Sequence, residues 1–390
     1  MGVTHKKVER AKKILYITPY FPEPNKKAGS KFTYNQIKKL VELGYDVDLV
    51  SITRFDKLDI ENVQLICKNV FVFKRDNYLS YFNAFVKAFF QKQSLFLDLL
   101  PSSFKRQIRI LLNKNYDRVF IEHSYMAIWF RNEFGNKYDD KLRIVMHNIE
   151  KDYFEYMYKN EKLNLSKLFY WLEYRFLFHN EDILLRNKNL KFLFLNKDNA
   201  KKYNGLFLPS FPFEVKNVKE YAKYDIGYIG FLGSQRNINA LKFFLENIWP
   251  IILKNNKNIT FCIAGRGLRN EDENYLKKFK NVYIIGEINK IENFYSNNKI
   301  IIVPILESIG VQTKLYEALS YLKPVVCTKF ALNGMPFENN IHLFATNDIQ
   351  KFANYCLLLL EKKEIMEIFK KNLISLEQNI KIQIEKVLKI

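Results

Sequence analysis

The 390-residue chain is 48% hydrophobic and holds only 13 glycines and 10 prolines, which excludes a disordered, collagen-like or linker-dominated protein. Its length suits two domains of roughly 150–200 residues each. Lys and Arg number 62 against 41 Asp and Glu, a net charge of +21, so the field draws anions: nucleic acid, lipid headgroups and nucleotide-sugar phosphates all qualify.

The elements read in order as two successive β/α halves. A short buried strand is predicted over 14–18, then a polar, proline-bearing loop over 19–30, a helix over 32–43 closed by Gly44, and a strand over 47–52. This β-α-β unit needs a right-handed crossover and places the loop after its first strand at the carboxyl edge of the sheet, where ligands bind. Strands follow at 70–74, 118–122, 143–147 and 191–195, with a helical stretch over 151–187 and a helix from 196 to 202. After a boundary near 208–223, the pattern restarts. It gives strand 225–232, helix 239–253, strand 259–264, strand 282–285, helix 290–297, strand 300–304, helix 313–321, strand 324–327 and helix from about 348 onward. The basic excess is uneven: residues 1–210 carry 37 basic and 23 acidic side chains, residues 211–390 carry 25 and 18.

Four cysteines (Cys67, Cys262, Cys327, Cys356) lie far apart without a CxxC pair, which argues against a zinc site or a disulfide framework and fits a reducing cytoplasm. Neither a signal peptide nor an apolar run of the ~18–20 residues needed to cross a bilayer is read. The expected location is cytoplasmic and soluble, or peripheral on the inner face of the plasma membrane.

One segment, GVQTKLYEALSYLKPVV at 310–326, combines several demands of a nucleotide diphosphate. Gly310 lets a loop backbone approach a ligand closely. The helix starting at Thr313 offers free N–H groups and its dipole to an anion. Lys314 adds a point charge in the first turn, and Glu317, one turn on, presents a carboxylate to ribose hydroxyls. Alone, Lys314 and Glu317 are ordinary surface residues; their spacing within the segment gives them meaning.

This segment resembles the donor-binding signature of the retaining GT-B glycosyltransferases of family four, which runs Gly-x-x-x-Lys-x-x-x-Glu-Ala in one subset. The resemblance extends along nearly the whole chain. YITPYFP at 16–22 followed by Gly29 resembles the first N-domain loop, and GYDV at 44–47 the start of the second strand. VMHNIE at 145–150 resembles the family's His-bearing strand end, and FLGS at 231–234 with Arg236 and Asn237 the start of the donor domain. AGRG at 264–267, GEI at 286–288 and Val303-Pro304 follow in order.

The resemblance implies an α/β GT-B fold, two Rossmann-like domains facing across a cleft. An acceptor-binding domain is expected over 1–208 and a nucleotide-sugar-binding domain over 209–374, with a helix over about 375–390 packing back on the first. It implies transfer of a sugar, with retention, from a nucleotide diphosphate sugar to a hydroxyl of a glycan or lipid-linked acceptor, in bacterial capsule or lipopolysaccharide synthesis. Arg236 and Lys314 would neutralise the diphosphate. Glu317 would hold the ribose, and Gly286, Glu287 and Ile288 the base. Gly29 and Ser30 would meet the phosphates or sugar from the N-domain. Gly233, Ser234, Gly265, Arg266, Gly310, Val311, Gln312, Thr313 and Leu315 complete the donor-binding set. His147 would lie near the sugar as its bond breaks, with Lys314 and Glu307 as further catalytic residues and Glu122 and His123 on the acceptor side. Many members carry a glutamate eight residues before the ribose glutamate; Ile309 stands there, with Glu307 two residues earlier. The nucleotide sugar, UDP- or GDP-linked, is a co-substrate, and no cofactor or metal is expected. Asp46 and Asp48 match a metal-binding DxD pattern, but on a strand of a β-α-β unit they read as structural.

The aromatic and basic stretch 81–114, with Lys105, Arg106 and Arg109, reads either as core helices with solvated bases or as a patch for an anionic membrane surface. Two other functions fit parts of the sequence. A UDP-sugar 2-epimerase shares the fold and would need no acceptor. A basic nucleic-acid-binding protein fits the charge but lacks a recognisable motif.

Overall fold

The computed structural model describes residues 11–24, 28–53, 58–74, 86–90, 94–98, 100–161, 163–209, 213–307 and 311–389. The chain divides into two compact units, Met1–Phe211 with Glu385–Ile390, and Pro212–Ile384.

The first unit contains β1 (Lys13–Thr18), α1 (Ala28–Glu42), β2 (Asp46–Thr53), β3 (Asn69–Lys74), β4 (Arg118–Glu122), α2 (Ser124–Phe134), β5 (Leu142–Met146), α3 (Glu150–Asn160), α4 (Leu165–Leu185), β6 (Lys191–Phe194) and β7 (Leu206–Phe207). Its strands form a parallel sheet in the order β3-β2-β1-β4-β5-β6-β7. In β1, Ile14 lies opposite Val47 on one side and Arg118 on the other. Buried residues run unbroken through 14–18 because helices cover both faces, and such strands read as continuous apolar runs instead of alternating ones. Phe104, Trp129 and Phe130 fill the layer against this sheet.

The second unit repeats the plan with β8 (Tyr224–Ile229), α5 (Gln235–Phe243), β9 (Phe261–Ala264), β10 (Val282–Gly286), α6 (Ile291–Asn297), β11 (Asn298–Val303), α7 (Thr313–Ser320), β12 (Val325–Cys327), β13 (Phe344–Ala345), α8 (Ile349–Glu361) and α9 (Lys363–Leu388). Its parallel order is β10-β9-β8-β11-β12-β13. Trp249, Phe244 and Phe261 anchor its core. Glu385 on α9, a residue of the first unit, pairs with Lys39 on α1 at 2.9 Å. In both sheets the strand order reverses once, between β1 and β4 and between β8 and β11. Open parallel sheets bind ligands at the carboxyl ends of the strands flanking such a reversal.

Some elements differ from the sequence reading. Helix α1 starts at Ala28, so Gly29 and Ser30 lie in its first turn and not in a loop. The helix expected over 239–253 begins at Gln235 and is interrupted by a π-turn at Phe244–Ile248, followed by Trp249–Asn255. Pro250 has no N–H to return to the preceding turn, and Trp249 N–H reaches back five residues to Phe244 O. A short helix at Asn270–Leu276, with Glu271, Asp272 and Glu273 in its first turn, was not expected.

Candidate functional site

In the second unit the residues at the β8/β11 reversal converge on Lys314. The loops leaving β8, β9 and β10 are laced by their backbones: Gly230 N–H donates to Ala264 O at 3.2 Å, Gly265 N–H to Gly286 O at 2.8 Å, and Leu232 N–H to Arg266 O at 2.8 Å. Gly265 has φ +142°, and a Cβ there would fall 1.8 Å from Gly230 O, so only glycine allows this approach. The lacing sets the position of Gly233, Ser234 and α5 behind them. From α5, Asn237 donates to Phe231 O at 2.8 Å and turns its Oδ1 to Lys314.

Lys314 Nζ lies 2.9 Å from Asn237 Oδ1 and 3.1 Å from Tyr228 OH, partly over the Tyr228 ring. Both partners are neutral. Burial, with the charge of Arg236 as a second cause, brings the Lys314 ammonium down to about 7. It sits in the first turn of α7, where Gln312, the N-cap, makes no side-chain cap. The first turn of a helix carries N–H groups without an intrahelical partner, and of these Leu315 N–H is engaged by Gln312 O at 3.0 Å. Leu315 and Gln312 are buried and fix the helix end, while Val311 and Thr313 are partly exposed.

One turn along α7, Glu317 Oε2 accepts a hydrogen bond from Tyr295 OH at 3.3 Å. Tyr295 stacks on Tyr321 at 4.5 Å, and burial followed by the Glu317 charge pushes its phenol well up, so it acts here as a donor that orients the carboxylate. Arg236 Nε is 3.6 Å from Glu307 Oε1, a half-exposed pair worth little to stability. Gly286 bends at φ 69° beyond β10, with Glu287 exposed and Ile288 partly exposed after it. Arg266 is exposed, its guanidinium 5.9 Å over the Phe231 ring. Gly310 and Ile309 lie outside the described residues.

In the first unit the β1/β4 reversal gathers a second cluster. Glu122 ends β4 with 0% of its surface exposed. Its carboxylate accepts from Tyr16 OH at 2.9 Å, Thr18 Oγ1 at 2.6 Å and Thr33 Oγ1 at 2.7 Å, and lies 3.5 Å from His147 Nε2. Burial works to raise the Glu122 carboxyl, but the hydrogen bond and charge of His147, the charge of His123 and the Thr18 hydroxyl together hold it down at about 2. Glu122 thus has no surface to offer an acceptor, contrary to its expected acceptor-side role; it supports His147 from behind. His147, just past β5, also meets Tyr20 OH at 3.3 Å and the edge of Phe32. His123 stacks on His147 and bonds Glu150. Gly29 O accepts from Thr33 at 3.1 Å, and the absent side chain lets the Tyr20 hydroxyl approach α1. The Ser30 hydroxyl accepts from Glu23 N–H at 2.7 Å and donates to Phe21 O at 2.8 Å, so it ties its own loop.

Sequence reasoning missed Tyr228, Asn237 and Tyr295 as partners of the second cluster, and Thr33, Glu150 and Glu181 around the first. Tyr16 and Thr18, two apart on β1, face the same side of the sheet, and that alternation was the available signal. Asp46 and Asp48 are occupied structurally: Asp46 takes Lys68 at 2.6 Å, and Asp48 takes Asn69 at 2.8 Å and Tyr116 at 2.6 Å. In the stretch 81–114, residues 81–85, 91–93 and 99 lie outside the described residues; Phe104 is core, Arg109 pairs with Glu133, and Phe90 is 76% exposed. Among the described residues no helix is long and apolar enough to cross a membrane.

Residues 223–362 match the family model described as "Glycosyl transferases group 1". A Klebsiella pneumoniae protein described as an uncharacterized 44.6 kDa protein in the cps region is 28% identical over 363 residues, 88% of this chain and 90% of that protein. The fold is similar to that of Anabaena Alr3699/HepE solved with UDP, with TM-score 0.60 and 11% identity over 97% of this chain and 98% of the other. It is also similar to WaaG, a glycosyltransferase involved in lipopolysaccharide biosynthesis, with TM-score 0.55 and 12% identity over 96% and 98% of the two chains.

Proposed function

We propose that the chain is a glycosyltransferase of group 1 with the GT-B fold, and that it moves a sugar, with retention, from a nucleotide diphosphate sugar to a hydroxyl of a capsular polysaccharide precursor. The observation that carries the reading is Lys314, held by neutral partners in the first turn of α7 beside the β8/β11 reversal, with Glu317 oriented one turn on. The capsule assignment is supported by the cps-region relative, and UDP as first candidate nucleotide by the complex of the Anabaena protein.

In this reading the α7 amides, Lys314 and Arg236 take the diphosphate, Glu317 the ribose and the backbone of Gly286, Glu287 and Ile288 the base. The bond from the anomeric carbon to the diphosphate oxygen breaks, and its electron pair leaves with the diphosphate. The acceptor oxygen bonds the same face of that carbon and gives its proton to the departing phosphate oxygen. Lys314 meets the growing negative charge, and preplaced charge of this kind is commonly the largest catalytic term. His147, backed by Glu122, contacts the sugar. The nucleotide sugar serves as co-substrate, with no bound cofactor in the scheme. The site of action proposed is the cytoplasmic membrane face, supported by the exposed Phe89 and Phe90 rings; wild-type protein should pellet with anionic vesicles, and Phe89→Ser/Phe90→Ser should remain in the supernatant.

A thermal-shift screen of UDP-, GDP-, ADP- and CMP-sugars tests the function, because a ligand that binds only the folded state raises the melting point. One nucleotide class should give a shift that Lys314→Ala and Glu317→Ala abolish. A shift undiminished in both variants would remove the assigned site.

A further inference from the structure

His123 occupies the corner between β4 and α2 at φ 70°, a left-handed backbone that costs a non-glycine residue roughly 1 kcal/mol or more and persists where the surroundings over-determine it. The surroundings here are specific. Its ring lies within 11° of the His147 plane with centroids 4.6 Å apart, stacks on Tyr125 at 5.2 Å and meets the Tyr20 edge at 5.7 Å. Nδ1 is 2.5 Å from Glu150 Oε1, while Nε2 is buried without a partner.

Glu150 is itself fixed. Its side chain is 6% exposed, and the N–H groups of Glu150 and Lys151, opening α3, both donate to the Glu181 carboxylate of α4 at 2.9 Å. The groups that face His123 are therefore Tyr20 after β1, Glu122 on β4, Tyr125 on α2, His147 after β5 and Glu150 on α3, with Glu181 on α4 behind Glu150. Burial works against a charge on His123, and the charge and hydrogen bond of Glu150, aided by Glu122, outweigh it and raise the imidazole. His147 turns its Nε2 to Glu122 and Tyr20, so Nδ1 is the nitrogen left for a ligand.

We propose that Glu150 and His123 form a positioning pair for His147: the carboxylate anchors the His123 ring, and the stacked ring sets the His147 plane so that Nε2–H is given to Glu122 and the Nδ1 lone pair is presented to a sugar hydroxyl. This rests on the assignment of His147 to glycosyl transfer. Neither residue of the pair touches the sugar. The carboxylate–imidazole–imidazole stack fixes an orientation and a tautomer, which is what a hydrogen bond to one chosen hydroxyl requires.

The test uses the full chain, which has five histidines, labelled at histidine Cε1 and titrated by NMR without substrate, the signals assigned by His123→Asn and His147→Gln. The His123 signal should titrate above the ordinary histidine range, and the His147 signal should move in step with it. In Glu150→Gln both movements should shift to lower pH. With donor and acceptor supplied, Glu150→Gln should lower kcat about tenfold while the donor KM stays within twofold. If Glu150→Gln does not fold, His123→Asn replaces it, since Asn keeps an N–H for Glu150; there the step that followed His123 should be gone from the His147 signal. A His147 signal indifferent to both variants overturns the pair. Coupled signals with an unchanged kcat leave the pair standing and overturn the assignment of His147 to transfer.

Discussion

The partly buried Lys314 and the fully buried Glu122 have opposite consequences for pH. The Lys314 ammonium, lowered to about 7 by burial and then by Arg236, is only partly protonated in the free protein at neutral pH. A diphosphate favours the protonated form, so binding must draw in a proton. UDP affinity is expected to fall as pH rises from 6 to 8.5, and calorimetry in buffers of different ionisation enthalpy should show proton uptake approaching one per UDP at the alkaline end. Lys314→Arg should abolish that uptake; a pH-independent wild-type affinity would show that this amine does not meet the diphosphate. Glu122, held at about 2, works in the acid range. Its folded carboxyl sits below the ordinary value of 4.5, so its contribution is complete above 4.5 and lost as pH falls from 4.5 toward 2. Across that window the shift amounts to about 3 kcal/mol. Glu122→Gln should therefore flatten the acid limb of a denaturation-midpoint curve between pH 4.5 and 2, while lowering stability at pH 7 because a cavity built for an anion then holds an amide.

At the scale of elements, the site depends on three loops drawn together by backbone, and Gly265 is where they are closest. In Gly265→Ala the new methyl meets a carbonyl oxygen, not a flexible side chain, so urea denaturation should show a loss of about 3 kcal/mol or more. Gly286→Ala has nothing within 4 Å of the new Cβ and carries only the positive-φ cost, about 1 kcal/mol. Equal losses would mean that backbone angle, and not the approach of the loops, selects glycine here. Legibility also divided by element. Strands such as β1 and β11 were readable because a strand covered on both faces must be apolar throughout. The start of α1 was not, because Gly29 and Ser30 look like loop residues until tertiary contacts are known: Gly29 faces Tyr20, and Ser30 bonds Phe21 and Glu23. The two-residue strands β7 and β13 are too short for any period to appear. Lys314 and Glu317 were legible through the spacing of one segment. Tyr228 and Tyr295, which hold them, come from other elements, and no local pattern couples those positions.

At the scale of the molecule, two units of like strand order each place their polar cluster at the reversal of the sheet, within a chain of net charge +21. A diffuse field and a built anion site respond differently to salt. The field acts over a screening length of about 10 Å at 0.1 M salt and 3 Å at 1 M, whereas Lys314 and the α7 amides act in direct contact. Raising NaCl from 0.05 to 0.5 M should weaken UDP binding by roughly three- to tenfold and leave it measurable, because only the long-range part is screened. Non-specific duplex DNA binding depends on released counterions and should fall by about 10³-fold or more over the same range. Calorimetry with UDP and fluorescence anisotropy with a DNA duplex, on one preparation at both salts, separate the two. If UDP binding disappeared in parallel with DNA binding, the attraction would belong to the surface field, and α7 would hold no diphosphate site of its own.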